Sequence, residues 1–169
     1  MKKGEVVSYE RYRSHFAAVQ ESPVHWPWSS ICAELSAARP AERGSLTLSK
    51  TGGVTGCELI PGMSINVQIV PAGGSTRSHT HAWWHLFLVR DGQATAILGE
   101  TKTELAPSDL LLVPAWTPHH FENSHEQSLI LLSMSNLPQQ HALSNHRAVE
   151  PESQSVGGRN SRHAESNHG

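Results

Sequence analysis

The sequence predicts an all-β barrel or sandwich, preceded by a short helical arm and followed by a polar tail. Two observations carry this. From Ser45 the chain breaks into short β-prone runs, SLTLSKT, GCELI, SINVQIV, HLFLV, QATAIL, TKTEL, DLLLV and QSLILLSM, with alternating or fully apolar patterns. Between the runs lie GG, PG, PAGG, DG, GE and PS, the residues that turns demand. Evenly spaced short strands of this kind are the mark of barrels and sandwiches.

Taken in order, residues 8–20 predict a helix with Ser8 as N-cap, Glu10 in the first turn, and Tyr12, Phe16, Ala17 and Val19 as a rough apolar stripe. Pro23 stops it. Ser29 or Ser30 then caps a second short helix through Leu35, which Pro40 ends. Trp26 and Trp28, beside prolines, read as packing anchors for this arm. In the β region, Asp91-Gly92 is a two-residue hairpin signal that predicts antiparallel pairing of HLFLVR with QATAIL, and GETK leads into a third strand of the meander. Beyond Pro138 apolar content falls away, and from about Asn145 the chain reads as disordered. The divisions expected are therefore residues 1–44 as the arm, 45–140 as the barrel and 141–169 as a flexible polar tail.

With 169 residues the chain suits one domain with a core of its own. A net charge of -2 with no basic stripe argues against nucleic acid as a partner. The charged N-terminus does not resemble a signal peptide, and no apolar run has the length of a membrane span. Cys32 and Cys57 stand apart without a CxxC, which suits a reducing cytoplasm and two small buried side chains. Cytoplasmic localisation, with no membrane partner, is the expectation.

Twelve histidines are many for this length, but His141, His146, His163 and His168 fall in the polar C-terminal segment. Spacing is more informative than the count. In GGSTRSHTHAWWHLFLVRDG, His79, His81 and His85 are in phase on one predicted strand and so share a face. Neutral imidazole is the commonest side-chain metal ligand, and His119 or His120 could close a site from a neighbouring strand. Adjacent strand residues face opposite ways; His120 reads as the outer of the two, and His125 as a loop residue. All-imidazole ligation suits Fe(II), Zn, Ni or Cu better than Mg or Ca, and Mn is a further candidate for the ion.

Gly73, five residues, His79-Thr80-His81, three residues, His85, six residues, Gly92 is similar to the first cupin motif, with histidine in place of its usual glutamate. Ser108-Asp109 through Pro118-His119, then Asn123, is similar to the second motif, with Ser108 and Trp116 where it usually has glycine. HWPWSSICAEL, AERGSLTLSKTGG, SINVQIVPAGG, SHTH and PAWTPHHFEN further resemble the gentisate 1,2-dioxygenase family of ring-cleaving cupins. The resemblance implies a single cupin (jelly-roll) β-barrel, a homodimer with the Trp26/Trp28 arm as an interface element, and Fe(II) on His79, His81 and His119. This chain has one cupin half where family members usually have two. Phe87 stands where the family has an arginine associated with the substrate carboxylate, and His85 stands where it has a small residue.

His85 then decides the chemistry. As a fourth ligand, expected first from its spacing, it suits Lewis-acid work in a lyase, isomerase or cyclase; off the metal it suits a general base beside an oxygen-activating site. The activity expected is that of an oxidoreductase, an Fe(II) dioxygenase acting on a small hydroxylated aromatic or enolisable dicarbonyl compound. A non-catalytic small-molecule-binding cupin is the third alternative. Trp83, Phe87, Trp116 and Phe121 are candidates for the apolar pocket lining, Arg77 for a carboxylate partner, and Gln68 for an inward amide.

Overall fold

The computed structural model describes residues 5–17, 22–37, 44–143 and 148–149. It divides into two compact units, Met1–Ala38 and Arg39–Gly169. In the first, α1 spans Tyr9–Ala17 and α2 spans Trp28–Ala37. Ser8 caps α1 as its side chain predicts: Ser8 Oγ accepts the Arg11 N–H at 3.2 Å, and Ser8 O accepts the Tyr12 N–H at 3.0 Å. Val19, Gln20 and Pro40 lie outside the described residues. Among those described, no helix is long and apolar enough to cross a membrane.

Among the described residues of the second unit every strand pairing is antiparallel. Its strands are β1 (Ser45–Thr47), β2 (Ser64–Val70), β3 (Thr80–His81), β4 (His85–Asp91), β5 (Ala94–Leu98), β6 (Thr101–Leu105), β7 (Leu110–Val113), β8 (His119–Glu122), β9 (Leu129–Ser135) and β10 (Ala148–Val149). One sheet has the order β1-β2-β9-β4-β7 and another β6-β5-β8, with β10-β3 as a small third. An isolated bridge between His79 and His119 joins the approach to β3 to β8. All-β architecture is therefore what the turn-punctuated pattern produces.

Three local expectations are corrected. HLFLVR and QATAIL do not pair: β4 bonds to β7 and β9, while β5 bonds to β6 and β8. Asp91-Gly92 instead carries the chain from one sheet to the other. Gly92 has φ +74°, and a Cβ there would stand 2.3 Å from Ser128 O, so the backbone passes too close for any side chain. The tight hairpin forms at Gly99-Glu100, where Leu98 faces Thr101. GCELI forms no strand; a 3₁₀ turn covers Val54–Gly56, and the turn after it is held by Leu59 N–H on Met63 O at 3.0 Å. Finally, His79, His81 and His85 do not share one strand. The chain bends at Ala82-Trp83, Asn136 Oδ1 accepts the N–H of the following Trp84 at 3.0 Å, and β4 starts afresh at His85.

Two short elements lie where the sequence pattern gave no sign of them. A helix, α3, spans Leu137–Ala142 with Pro138 in its first turn. Ala148–Val149, within the segment read as disordered, pair with Thr80–His81. The tail beyond Val149, with His163 and His168, lies outside the described residues, as does His146.

Inward-facing residues grade from polar to apolar along the barrel. In β2 they are Ser64, Asn66, Gln68 and Val70; in β4, His85, Phe87 and Val89; in β9, running the other way, Leu129, Leu131, Ser133 and Ser135. At one end Val70, Phe87, Val89, Ala94, Ala96, Leu105, Val113, Phe121, Leu129 and Leu131 pack into a single buried cluster. Each fully buried aliphatic or aromatic side chain there contributes about 1.5–3 kcal/mol by leaving water. The other end is not filled with hydrocarbon. It is lined by hydroxyls, amides and imidazoles around a cavity.

Candidate metal centre

Three imidazoles meet at that polar end. His79 precedes β3, His81 ends it, and His119 opens β8, so the bridge between His79 and His119 sets two of them side by side. The bridge has both its hydrogen bonds: His119 N–H donates to His79 O at 2.9 Å and His79 N–H to His119 O at 3.2 Å. Nitrogen atoms of His79, His81 and His119 lie within 4.8 Å of one another. His81 and His119 are 1% and 2% exposed, while His79 is half-buried.

Each of the three Nδ1–H groups donates to a backbone carbonyl two residues away. His79 bonds to Arg77 O at 2.9 Å, His81 to Trp83 O at 2.7 Å and His119 to Thr117 O at 2.9 Å. These bonds fix the tautomer and leave an Nε2 lone pair on each ring, the arrangement a histidine metal site requires. Burial, reinforced by His119 alongside, lowers the His81 pKa from 6.5 to about 4, so that ring is neutral and can ligate at neutral pH. The residues present thus fit one divalent, nitrogen-preferring ion. The carbonyl-acceptor pattern is not legible from residue type, because backbone atoms supply the acceptors.

His85 stands beside this cluster, and its nitrogens have other partners. Trp83 Nε1–H donates to His85 Nε2 at 3.2 Å, and His85 Nδ1 is 2.7 Å from Ser133 Oγ. With the indole proton on Nε2, His85 Nδ1 carries the ring proton and donates to the serine. Its Nε2 also lies 3.2 Å from His81 Nε2, so two lone-pair-bearing nitrogens converge. Trp83 stacks on His81 with ring centroids 4.0 Å apart and planes within 5°. A residue read as pocket lining is thereby also a positioning group.

A cavity of about 360 Å³ opens over the cluster. Trp83, Phe87, Phe121, Arg77 and Gln68 line it, with Phe87 and Phe121 in an edge-to-face pair 5.0 Å apart. Trp116 is not among its lining residues. It is 48% exposed, on the turn after β7, with φ +63° and its N–H on His81 O at 2.7 Å. His120 faces outward and meets Glu122 at 3.3 Å, and His125 is in a loop. Cys32 and Cys57 are free and only half-buried. Sequence reasoning passed over Asn66, Ser133 and Ser135, whose short polar side chains line the wall and carry no motif.

Residues 66–135, from β2 to the end of β9, match the family model of the cupin domain. The barrel carries this likeness to the cupin domain. The chain is 33% identical over 70 residues to 1-methylthio-D-xylulose 5-phosphate methylsulfurylase of Rhodospirillum rubrum, a match covering 41% of this chain and 44% of that enzyme. In fold it is similar to salicylate 1,2-dioxygenase of Pseudoaminobacter salicylatoxidans. One variant of that enzyme matches with TM-score 0.68 at 20% identity over 76% of this chain and 40% of its own. A second structure of the enzyme matches with TM-score 0.68 at 18% identity over 90% of this chain and 51% of its own. Another was determined as an adduct with gentisate. The chain spans about half or less of the length of these relatives.

Proposed function

We propose that the protein is a metal-dependent cupin enzyme in which His79, His81 and His119 hold one divalent ion, and that it is an Fe(II) dioxygenase acting on a small hydroxylated aromatic or enolisable dicarbonyl compound. The observation that carries the reading is the set of three Nδ1–H bonds to backbone carbonyls, on three histidines whose ligand nitrogens lie within 4.8 Å of one another. Likeness in fold to a salicylate dioxygenase supports the choice of reaction. Bound there, Fe(II) supplies the redox chemistry through which dioxygen reacts with a closed-shell organic molecule.

The chain's own groups do the rest. Phe87 and Phe121 exclude water from the floor of the cavity. Arg77, exposed and lining the cavity, receives an anionic substituent. A substrate hydroxyl that displaces the Trp83 N–H gives its proton to His85 Nε2, while Ser133 Oγ, accepting the opposite N–H, keeps the ring from turning. In this reading Trp83 keeps His85 off the ion. Leu110 and Leu112, 66% and 60% exposed on the edge strand of the larger sheet, favour a homodimer, which sedimentation of wild type and a Leu110→Lys/Leu112→Lys variant tests.

The relationship to a methylsulfurylase, whose name is not that of an oxygenase, favours a second reading: Lewis-acid chemistry without dioxygen. Oxygen uptake by Fe(II)-loaded protein across catechols, hydroxybenzoates and β-diketones tests the first. Uptake matched by substrate loss is expected. Conversion in the absence of oxygen transfers support to the second reading, and inertness under both conditions removes both.

A further inference from the structure

We infer that the substrate is a small, acyclic, hydroxyl-rich anion bound along a polar row of the larger sheet, rather than an aromatic acid. This rests on the metal site proposed above and belongs with the second, oxygen-independent reading, since a polyhydroxy anion is neither a hydroxylated aromatic nor a dicarbonyl compound. The row is built by strand register: Thr47 faces Asn66 across β1 and β2, and Asn66 faces Ser133 across β2 and β9. Ser45 and Gln68 form the next rung, and all five side chains line the same cavity as the imidazoles.

Further along the same strands the inward positions turn apolar, beginning with Leu131 opposite Gln68 and continuing to Val70 and Leu129. A barrel end that only needed filling could continue that series. Here the chain instead sets hydroxyls and carboxamides against the cavity; Ser45 and Gln68 interact with other groups already, and a group of the row left unpaired needs a hydrogen-bond partner once water is displaced. Ser133 is engaged with His85 Nδ1. The Asn66 carboxamide is half-buried and has no hydrogen-bond partner among the described residues. It offers two donors and an acceptor, which neighbouring hydroxyls of an acyclic polyol can match.

An aromatic ring lying on this row would present carbon to it and leave the carboxamide dry and unpaired. Sites built to bond a hydroxyl reject analogues lacking one by up to about 10⁴–10⁵ when fully buried. Half-burial of Asn66 makes about tenfold to a hundredfold the expectation here. Arg77 lines the same cavity, is exposed, and makes no ion pair among the described residues, which suits a terminal carboxylate or phosphate.

Zn(II)-loaded protein, in which redox chemistry is silent, allows titration calorimetry with D-ribulose 5-phosphate, D-gluconate and gentisate. Wild type should bind at least one of the two polyhydroxy anions tenfold or more tighter than gentisate, and their order distinguishes phosphate from carboxylate. Asn66→Leu should weaken that ligand at least tenfold, leaving zinc content and gentisate affinity unchanged. Gln68→Leu, tested in parallel, should shift affinity in the same direction and covers the case in which Asn66→Leu fails to fold. Tighter gentisate binding by wild type, no binding of either polyhydroxy anion, or indifference to both substitutions overturns the inference. Absence of bound zinc is read separately by elemental analysis; it removes the metal-site reading and this inference with it.

Discussion

Trp83 Nε1 and His81 Nε2 lie at the same 3.2 Å from His85 Nε2. The His85 lone pair is therefore contested between an indole N–H and whatever ion His81 holds. Removing the indole proton frees it without removing a ring. In Trp83→Phe, divalent metal affinity should rise by about tenfold, on the scale of groups that orient ligands. The visible spectrum of the Co(II)-substituted protein should also change, as an extra nitrogen enters. Unchanged affinity and spectrum would show that Trp83 does not restrain His85.

Acid should unfold the metal-free protein through His81. Its folded pKa, about 4, is below the ordinary 6.5 because of burial, with His119 adding to it. Between those values the unfolded chain binds a proton that the folded chain refuses. The stabilisation is fully present above pH 6.5 and is lost as pH falls toward about 4, by at most about 3 kcal/mol. Melting temperatures of EDTA-treated protein should drop across this window, and less steeply in His81→Gln. Equal slopes for the two proteins would rule His81 out as the cause.

Asn123, 2% exposed, ties the corner after β8 to two other segments. Its amide donates to Val70 O at 3.0 Å, Pro71 O at 3.1 Å and Gln127 O at 2.8 Å, and its oxygen accepts the His125 N–H at 3.0 Å. Asn123→Ala takes the donor from the carbonyl of buried Val70 and from those of exposed Pro71 and Gln127, and should cost about 1–3 kcal/mol, a fall in Tm of about 2–12 °C. A fall under about 2 °C in calorimetry would mean water replaces the amide without loss.

Ser108 and Trp116 occupy the two positions where the second cupin motif usually has glycine, and both adopt left-handed backbone, φ +78° and +63°. A non-glycine residue there costs about 1 kcal/mol or more, against roughly 0.5–1 kcal/mol of extra unfolded-chain entropy for glycine. Ser108→Gly should therefore leave Tm unchanged or raise it by up to about 4 °C. A clear decrease would mean that the serine side chain contributes a contact worth more than the strain.

How far the sequence can be read follows from what each feature depends on. Strands were legible because alternation along Leu129–Ser135 is a local, two-residue period, and His119 was separable from His120 for the same reason. The fate of Asp91-Gly92 was not, since a hairpin and a sheet-switching corner both want a left-handed glycine and only Ser128, distant in sequence, distinguishes them. The phase of His85 with His81 was misleading because the chain bends at Ala82-Trp83, beside a bond from the Trp84 N–H to Asn136, distant in sequence. Within the cavity, histidines announce themselves, whereas Asn66 and Ser133 acquire meaning only from cross-strand register.

Metal content of wild type and His119→Ala, purified without added metal and measured by elemental analysis, tests the central claim most directly. The account predicts about one divalent transition-metal ion per wild-type chain and a near-empty, still folded variant. Metal-free wild type that refuses Fe(II) and Zn(II), or a His119→Ala variant that retains a full complement, would contradict it.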